Sequence, residues 1–137
     1  DEAGVCGWTD PDNRRTYPWG HEDQELIRFH QDIIKLHKEC SVLQNGSYKE
    51  LVSEYNLLAY GRFDRNDILV VVINNSDDER RVSIPVWELG MPTDTDMEQI
   101  FVTYDGGYST QRLYYSVNDG WISLGMRRQS ALVLRKA

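Results

Sequence analysis

The residues best suited to chemistry crowd into one polar stretch, Asp10-Pro11-Asp12-Asn13-Arg14-Arg15-Thr16-Tyr17-Pro18-Trp19. Pro11 and Pro18 lack a backbone donor and fix their own φ, so both ends of the stretch are extended or turned. Gly4 and Gly7 precede it and Gly20 follows. Asp accepts from vicinal hydroxyls, Arg donates through a planar fork, and Trp or Tyr stacks on the apolar face of a ring. Such a loop suits a ligand rich in hydroxyl groups. The plainer reading is a surface loop held by its own Asp–Arg pairs, and residue chemistry alone favours it.

The elements that must position this loop follow it. Glu22-Asp23-Gln24-Glu25 is an acidic opening that complements a helix N-terminus. Leu26, Phe29, Ile33, Leu36 and Cys40 recur at steps of three and four, and Ile27 and Ile34 widen the stripe. The spacing predicts an amphipathic helix over 23–40, with His37 and Lys38 in its last turn and a turn at Asn45-Gly46. A helix this short needs a partner surface for its apolar face.

From Ser47 the period changes to two. Strands are expected at 48–52, 57–63, 68–73, 81–86, 99–104, 111–117, 121–124 and 130–134, with a loop over 88–96. Ile68 to Ile73 is a continuous apolar run, read as a central strand buried on both faces. Pro85 marks an edge or a strand end. Asn118-Asp119-Gly120 between two strand patterns is a hairpin signal. The expected fold class is mainly β: an antiparallel Greek-key sandwich of seven to eight strands.

Composition bounds the function classes. The chain has 137 residues and 15 Lys and Arg against 22 Asp and Glu, a net charge of −7. That balance argues against nucleic acid and anionic membranes as partners. No apolar run of about 18 residues suggests a membrane span, and no basic and apolar signal sequence opens the chain. Cys6 and Cys40 are read as free thiols, with a single disulfide as the alternative. With His37 they fall short of a zinc set for want of a fourth ligand.

Asp1-Glu2-Ala3-Gly4, Gly7, Asp10-Pro11-x-Asn13-Arg14 and Pro18-Trp19 together resemble the end of the catalytic barrel in the α-amylase family (family 13 glycoside hydrolases). The branch resembled is that of neopullulanase, maltogenic amylase and amylopullulanase. The match is strong over residues 1–20 and looser beyond. Thr16-Tyr17 departs from it, since a Cys-Met or Pro-Met pair is frequent there.

The resemblance implies two parts. Residues 1–46 would be the last active-site loop and last helix of an incomplete (β/α)8 barrel, and residues 47–137 the all-β C-terminal domain. It implies that Asp10 and Arg14 hydrogen-bond a glucose two residues from the cleaved bond. Trp8, Tyr17 and Trp19 are further candidates for sugar contact, with packing of the loop as their preferred role. A retaining glycosidase needs two carboxyl groups about 5–5.5 Å apart. In the family these acids lie upstream of the matched segment, so the resemblance implies no catalytic residue in this chain, and an inactive chain when alone. The parent would hydrolyse α-1,4, and in some members α-1,6, glucosidic bonds of starch-like glucans. No metal site and no cofactor is expected here; the one candidate is calcium in the parent, near Asp1 and Glu2, and nothing in their spacing demands it. The expected partners are α-glucan oligosaccharides, the missing barrel, and a second copy through the apolar helix face. The compartment stays open between bacterial cytoplasm and secretion.

Two other readings remain. One is a non-catalytic carbohydrate-binding module using Trp87, Trp121, Tyr108, Tyr114 and Tyr115. The other is a structural or interaction domain whose interface is the helix face.

Overall fold

The computed structural model describes residues 1–137 as two compact units, Asp1–Cys40 and Ser41–Ala137. The first unit is an irregular polar segment followed by α1 (Gln24–Glu39). Asp23 is its N-cap: the side chain accepts from the backbone N–H groups of Glu25 and Leu26, two donors that the helix itself cannot satisfy. The Asp23 N–H in turn donates to the Ala3 carbonyl at 3.0 Å, tying the start of the helix to the start of the chain. At the other end the Cys40 N–H closes on the Leu36 carbonyl. No residue of α1 is fully buried, and Ile33 and Ile34 are exposed.

The second unit opens with a short helix α2 (Ser41–Asn45) where only a turn was expected. Nine strands follow: β1 (Ser47–Glu54), β2 (Leu57–Phe63), β3 (Ile68–Asn74), β4 (Arg80–Ile84), β5 (Thr95–Tyr104), β6 (Gly107–Ser109), β7 (Leu113–Val117), β8 (Ile122–Met126) and β9 (Ser130–Lys136). They form two antiparallel sheets. The larger has the order β1-β2-β3-β9-β5-β6, with β7 also paired to β5; the smaller is β4-β8. The chain leaves the large sheet after β3, returns for β5, leaves again for β8, and returns as β9 between β3 and β5. The fold class is therefore the antiparallel sandwich expected from the alternating pattern.

Nine strands rather than seven or eight are present because the three-residue β6 pairs with the end of β5 immediately after a Gly turn. Strand β5 starts at Thr95, earlier than read. Its Asp96 and Glu98 give 95–98 the look of a loop, but Met97 between them is fully buried and the segment pairs with β7. The expected loop over 88–96 also begins with a 3-10 turn at Val86–Leu89.

The core lies between the sheets. Val70 and Val72 of β3, Ile84 of β4, Ile122 of β8 and Leu134 of β9 have no solvent exposure. Burying such side chains contributes about 1.5–3 kcal/mol each. In β3, Leu69 on the opposite face is buried too and Val71 and Ile73 are half-buried, which is why its sequence reads as an unbroken apolar run. Strand β4 pairs only with β8, so Ile84-Pro85 does fall at a strand end in an edge strand. Asn118 and Trp121 close the β7–β8 hairpin through reciprocal backbone bonds of 2.8 and 2.9 Å, with Asp119 and Gly120 both at positive φ as a two-residue turn of this type requires.

Candidate functional site

The polar stretch 8–19 forms a folded loop rather than an extended tail. Its organiser is Asp12, whose carboxylate accepts the Trp8 backbone N–H at 2.7 Å and a bidentate contact from Arg15 at 2.8–3.2 Å. The Trp8 N–H, with Arg15 second, holds the Asp12 carboxyl below its usual range. The backbone turns twice around it: the Asp12 N–H donates to the Thr9 carbonyl at 2.9 Å and the Arg14 N–H to the Pro11 carbonyl at 3.0 Å. The Asp10–Pro11 peptide is cis. Gly7 lets the returning chain come close. A Cβ there would stand 2.8 Å from the Asn13 Cα and 2.9 Å from the Asp12 carbonyl oxygen, contacts no side chain tolerates.

Asp10 and Arg14 sit on this base. They form an i, i+4 ion pair, Nε to Oδ1 at 2.7 Å, with side chains 59 and 78 % exposed. An exposed pair of this kind adds little to stability, and both groups keep most of their hydrogen-bonding capacity for an outside partner. The structure therefore brings the two candidate binding residues together and leaves them open. Trp8 and Trp19 are 83 and 81 % exposed, and Tyr17 lies against Trp19 with ring centroids 4.6 Å apart. Within the chain neither tryptophan is packed away, although packing was the preferred expectation for these rings.

Asp12 and Arg15 are the residues whose role the sequence did not disclose. They look like two more potential ligand contacts, yet their charges are spent on the loop itself. At the first turn of the chain, Asp1 plays a similar part: its Oδ1 accepts the N–H groups of Ala3 and Val5.

The aromatic residues of the second unit do not form one platform. Tyr108 stacks on Phe101 at 5.4 Å, whereas the Tyr115 hydroxyl reaches Gln99 and that of Tyr114 reaches Glu98. Trp87 and Trp121 are about half exposed and are joined through the backbone by the Trp87 N–H bond to the Gly120 carbonyl. Cys6 and Cys40 form no disulfide, and one is exposed and the other buried. No group of three or more His, Cys, Asp or Glu side chains converges to hold a metal ion.

No protein-family model matches the chain. Individual proteins do. An amylopullulanase of Thermoanaerobacter thermohydrosulfuricus is 37 % identical over 94 residues, 61 % of this chain and 6 % of that protein. An amylopullulanase of Thermoanaerobacterium thermosulfurigenes is 28 % identical over 145 aligned positions, covering 98 % of the chain and 7 % of its own length. Among solved structures, an α-amylase from Geobacillus thermoleovorans superposes over 99 % of the chain and 28 % of its own, with a TM-score of 0.81 at 20 % identity.

The chain is a relative of the α-amylase-family glycoside hydrolases. It spans less than a tenth of the length of the amylopullulanases it matches. The likeness in fold extends over the loop, α1 and the sandwich alike, since the structural match leaves almost none of the chain out.

Proposed function

We propose that this chain is the C-terminal part of a retaining α-glucan hydrolase. Residues 1–46 supply the last active-site loop and last helix of its catalytic barrel, and 47–137 its structural β-sandwich. The observation that carries the reading is the Asp10–Arg14 pair, held open to solvent on a loop that Asp12, Arg15 and Gly7 make rigid. In barrel enzymes the loops after the strands form the active face. A fixed carboxylate beside a fixed guanidinium matches adjacent hydroxyls of one sugar ring, with Trp8, Tyr17 and Trp19 near enough in sequence to add stacking. Contacts remote from the reacting bond place the substrate for attack. The matched proteins named amylopullulanase and cyclomaltodextrinase support α-glucans as the substrate class.

The unburied apolar stripe of α1 supports the same reading, because a missing barrel is what it would cover. In the chain alone that stripe is also the surface through which copies would associate, and light scattering reads whether they do.

The test is made in the polypeptide that joins this chain to a catalytic barrel. Asp10→Ala and Arg14→Ala are each expected to lower kcat/KM on maltotriose about 10- to 100-fold, from the loss of charge-assisted hydrogen bonds of roughly 1.5–3 kcal/mol. Unchanged kcat/KM in both variants overturns the assignment. The 137-residue chain by itself is expected to release no glucose or maltose.

A further inference from the structure

The smaller sheet has two strands and the larger seven, so β4 and β8 cannot cover the whole inner face of the larger one. Where cover runs out, beside β8, a cleft of about 390 Å³ opens against β5, β7 and β9. That volume lies within the range of small-molecule pockets, roughly 300–1,000 Å³, and suits one or two sugar rings rather than a long polymer.

Its lining has an unusual make-up for the inside of a sandwich. Gln99, only 3 % exposed, stands where the neighbouring core positions carry Met97 and Leu134. Burying an amide costs free energy unless it is bonded. Its Nε2 donates to the Gln111 carbonyl at 2.9 Å and its Oε1 accepts from the Tyr115 hydroxyl at 3.3 Å. One N–H and one lone pair of the amide remain. At the mouth, the Arg127 guanidinium lies 5.8 Å from the centre of the Tyr104 ring, and Arg127 also borders a neighbouring hollow lined by Asp77, Asp78, Glu79 and Asp105. The Arg127 carbonyl is separately anchored by Asn74 and Ser130, which fixes its position along the rim. Half-buried Tyr104 and Tyr115 wall the cleft, with Val102 and Leu132 between them. A buried amide at the back, a planar cation at the rim and tyrosine rings at the sides can bind a ligand with apolar ring faces and equatorial hydroxyls.

We propose that this cleft is a second glucan site, which takes the end of an α-glucan oligosaccharide apart from the loop at 8–19. The choice of α-glucan rests on the function proposed above; the existence of the site rests on the cleft. Its role would be to hold a chain end while other parts of the same glucan occupy the active face.

The experiment is a ¹H–¹⁵N NMR titration of the 137-residue chain with maltotriose up to about 20 mM, a range that detects a Kd on the order of a millimolar. The expected result is shift changes at Gly125, Arg127, Ser130 and the Gln99 side-chain amide, with binding at least about tenfold weaker in Arg127→Ala. Arg127→Ala is exposed and keeps the anchored carbonyl; Gln99→Leu, which removes the amide at similar volume, is the second variant. Shift changes confined to residues 8–19 and abolished by Asp10→Ala would overturn the cleft and leave the proposed function standing. No shift changes at the highest concentration, or unaltered binding in both cleft variants, would also overturn it. Equal binding of cellotriose would overturn the α-glucan assignment.

Discussion

Asn74 offers the sharpest test of how the sandwich is held together. It ends β3 with 1 % exposure, and its side chain makes four hydrogen bonds. Nδ2 donates to the carbonyls of Asp78 at 3.0 Å and Arg127 at 2.8 Å, while Oδ1 accepts from the N–H and hydroxyl of Ser76 at 3.2 and 2.7 Å. One amide thus ties the end of β3 to the turn before β4 and to the turn between β8 and β9, joining both sheets. At about 1 kcal/mol net for each bond, Asn74→Ala forfeits up to about 4 kcal/mol. Two of the released groups keep another donor: the Asp78 carbonyl retains the Ser76 hydroxyl at 2.9 Å and the Arg127 carbonyl the Ser130 hydroxyl at 2.6 Å. The expected loss is therefore about 2–4 kcal/mol. Urea denaturation followed by far-UV circular dichroism should show the midpoint falling by about 1–2 M at unchanged slope. Asn74→Asp sharpens the test. It keeps the shape but turns a carboxylate oxygen toward two carbonyl oxygens, and burial raises its pKa in the folded state. A raised folded pKa makes the variant most stable below the unfolded pKa and progressively less stable as pH rises through the folded one. A loss under about 1 kcal/mol for Asn74→Ala, or an Asn74→Asp variant with the wild-type pH dependence, would refute the reasoning.

Other predictions follow from single contacts. A Cβ on Gly61 would stand 2.4 and 2.5 Å from the two methyl carbons of buried Leu89, so Gly61→Ala should cost about 1–3 kcal/mol in the same denaturation assay. Adding Leu89→Ala should recover part of that loss, and strict additivity would count against the overlap. The Asp12 carboxyl, followed by ¹³C NMR, should titrate below the usual 3.8, because the Trp8 N–H and Arg15 favour its charged form. A depressed folded pKa means that its support of the loop is present above 3.8 and lost as pH falls through the lowered value. Arg15→Ala should move the titration only part of the way back, since the Trp8 bond is the larger cause; a wild-type midpoint at or above 3.8 would refute the lock.

Much of the architecture could be read before any coordinates because its signals are local. The steps of three and four from Leu26 to Cys40 reflect a helix of 16 residues, and Asp23 is the kind of residue that caps one. The Ile68–Ile73 run announces a strand with no solvent-facing side. What escaped reading depends on which strand lies alongside. The three residues of β6 become a strand only because the end of β5 is beside them, and 95–98 is drawn into β5 by β7. The site divides in the same way. Asp10 and Arg14 stand out as chemistry-bearing residues, but nothing local separates them from Asp12 and Arg15, whose charges the loop itself consumes. Gln99 is still less visible: one polar residue in a strand pattern, given meaning only by a cleft that the consecutive strands β5 to β9 create once they are paired.

The two units differ in what holds them. The second has a continuous apolar core reaching from Leu57 to Leu134. The first has Ala3 and Cys40 as its only buried apolar residues, a helix with none, and a loop ordered by hydrogen bonds to Asp1, Asp12 and Asp23. Such bonds set a shape well but add little net stability, because water competes for each partner. A segment that fixes its polar geometry this tightly while leaving its apolar stripe uncovered is built to be completed by another surface. On the function proposed above, a catalytic barrel would be that surface: the first unit would bring the Asp10–Arg14 pair to it, and the second, with its own apolar core, would bring most of the buried area.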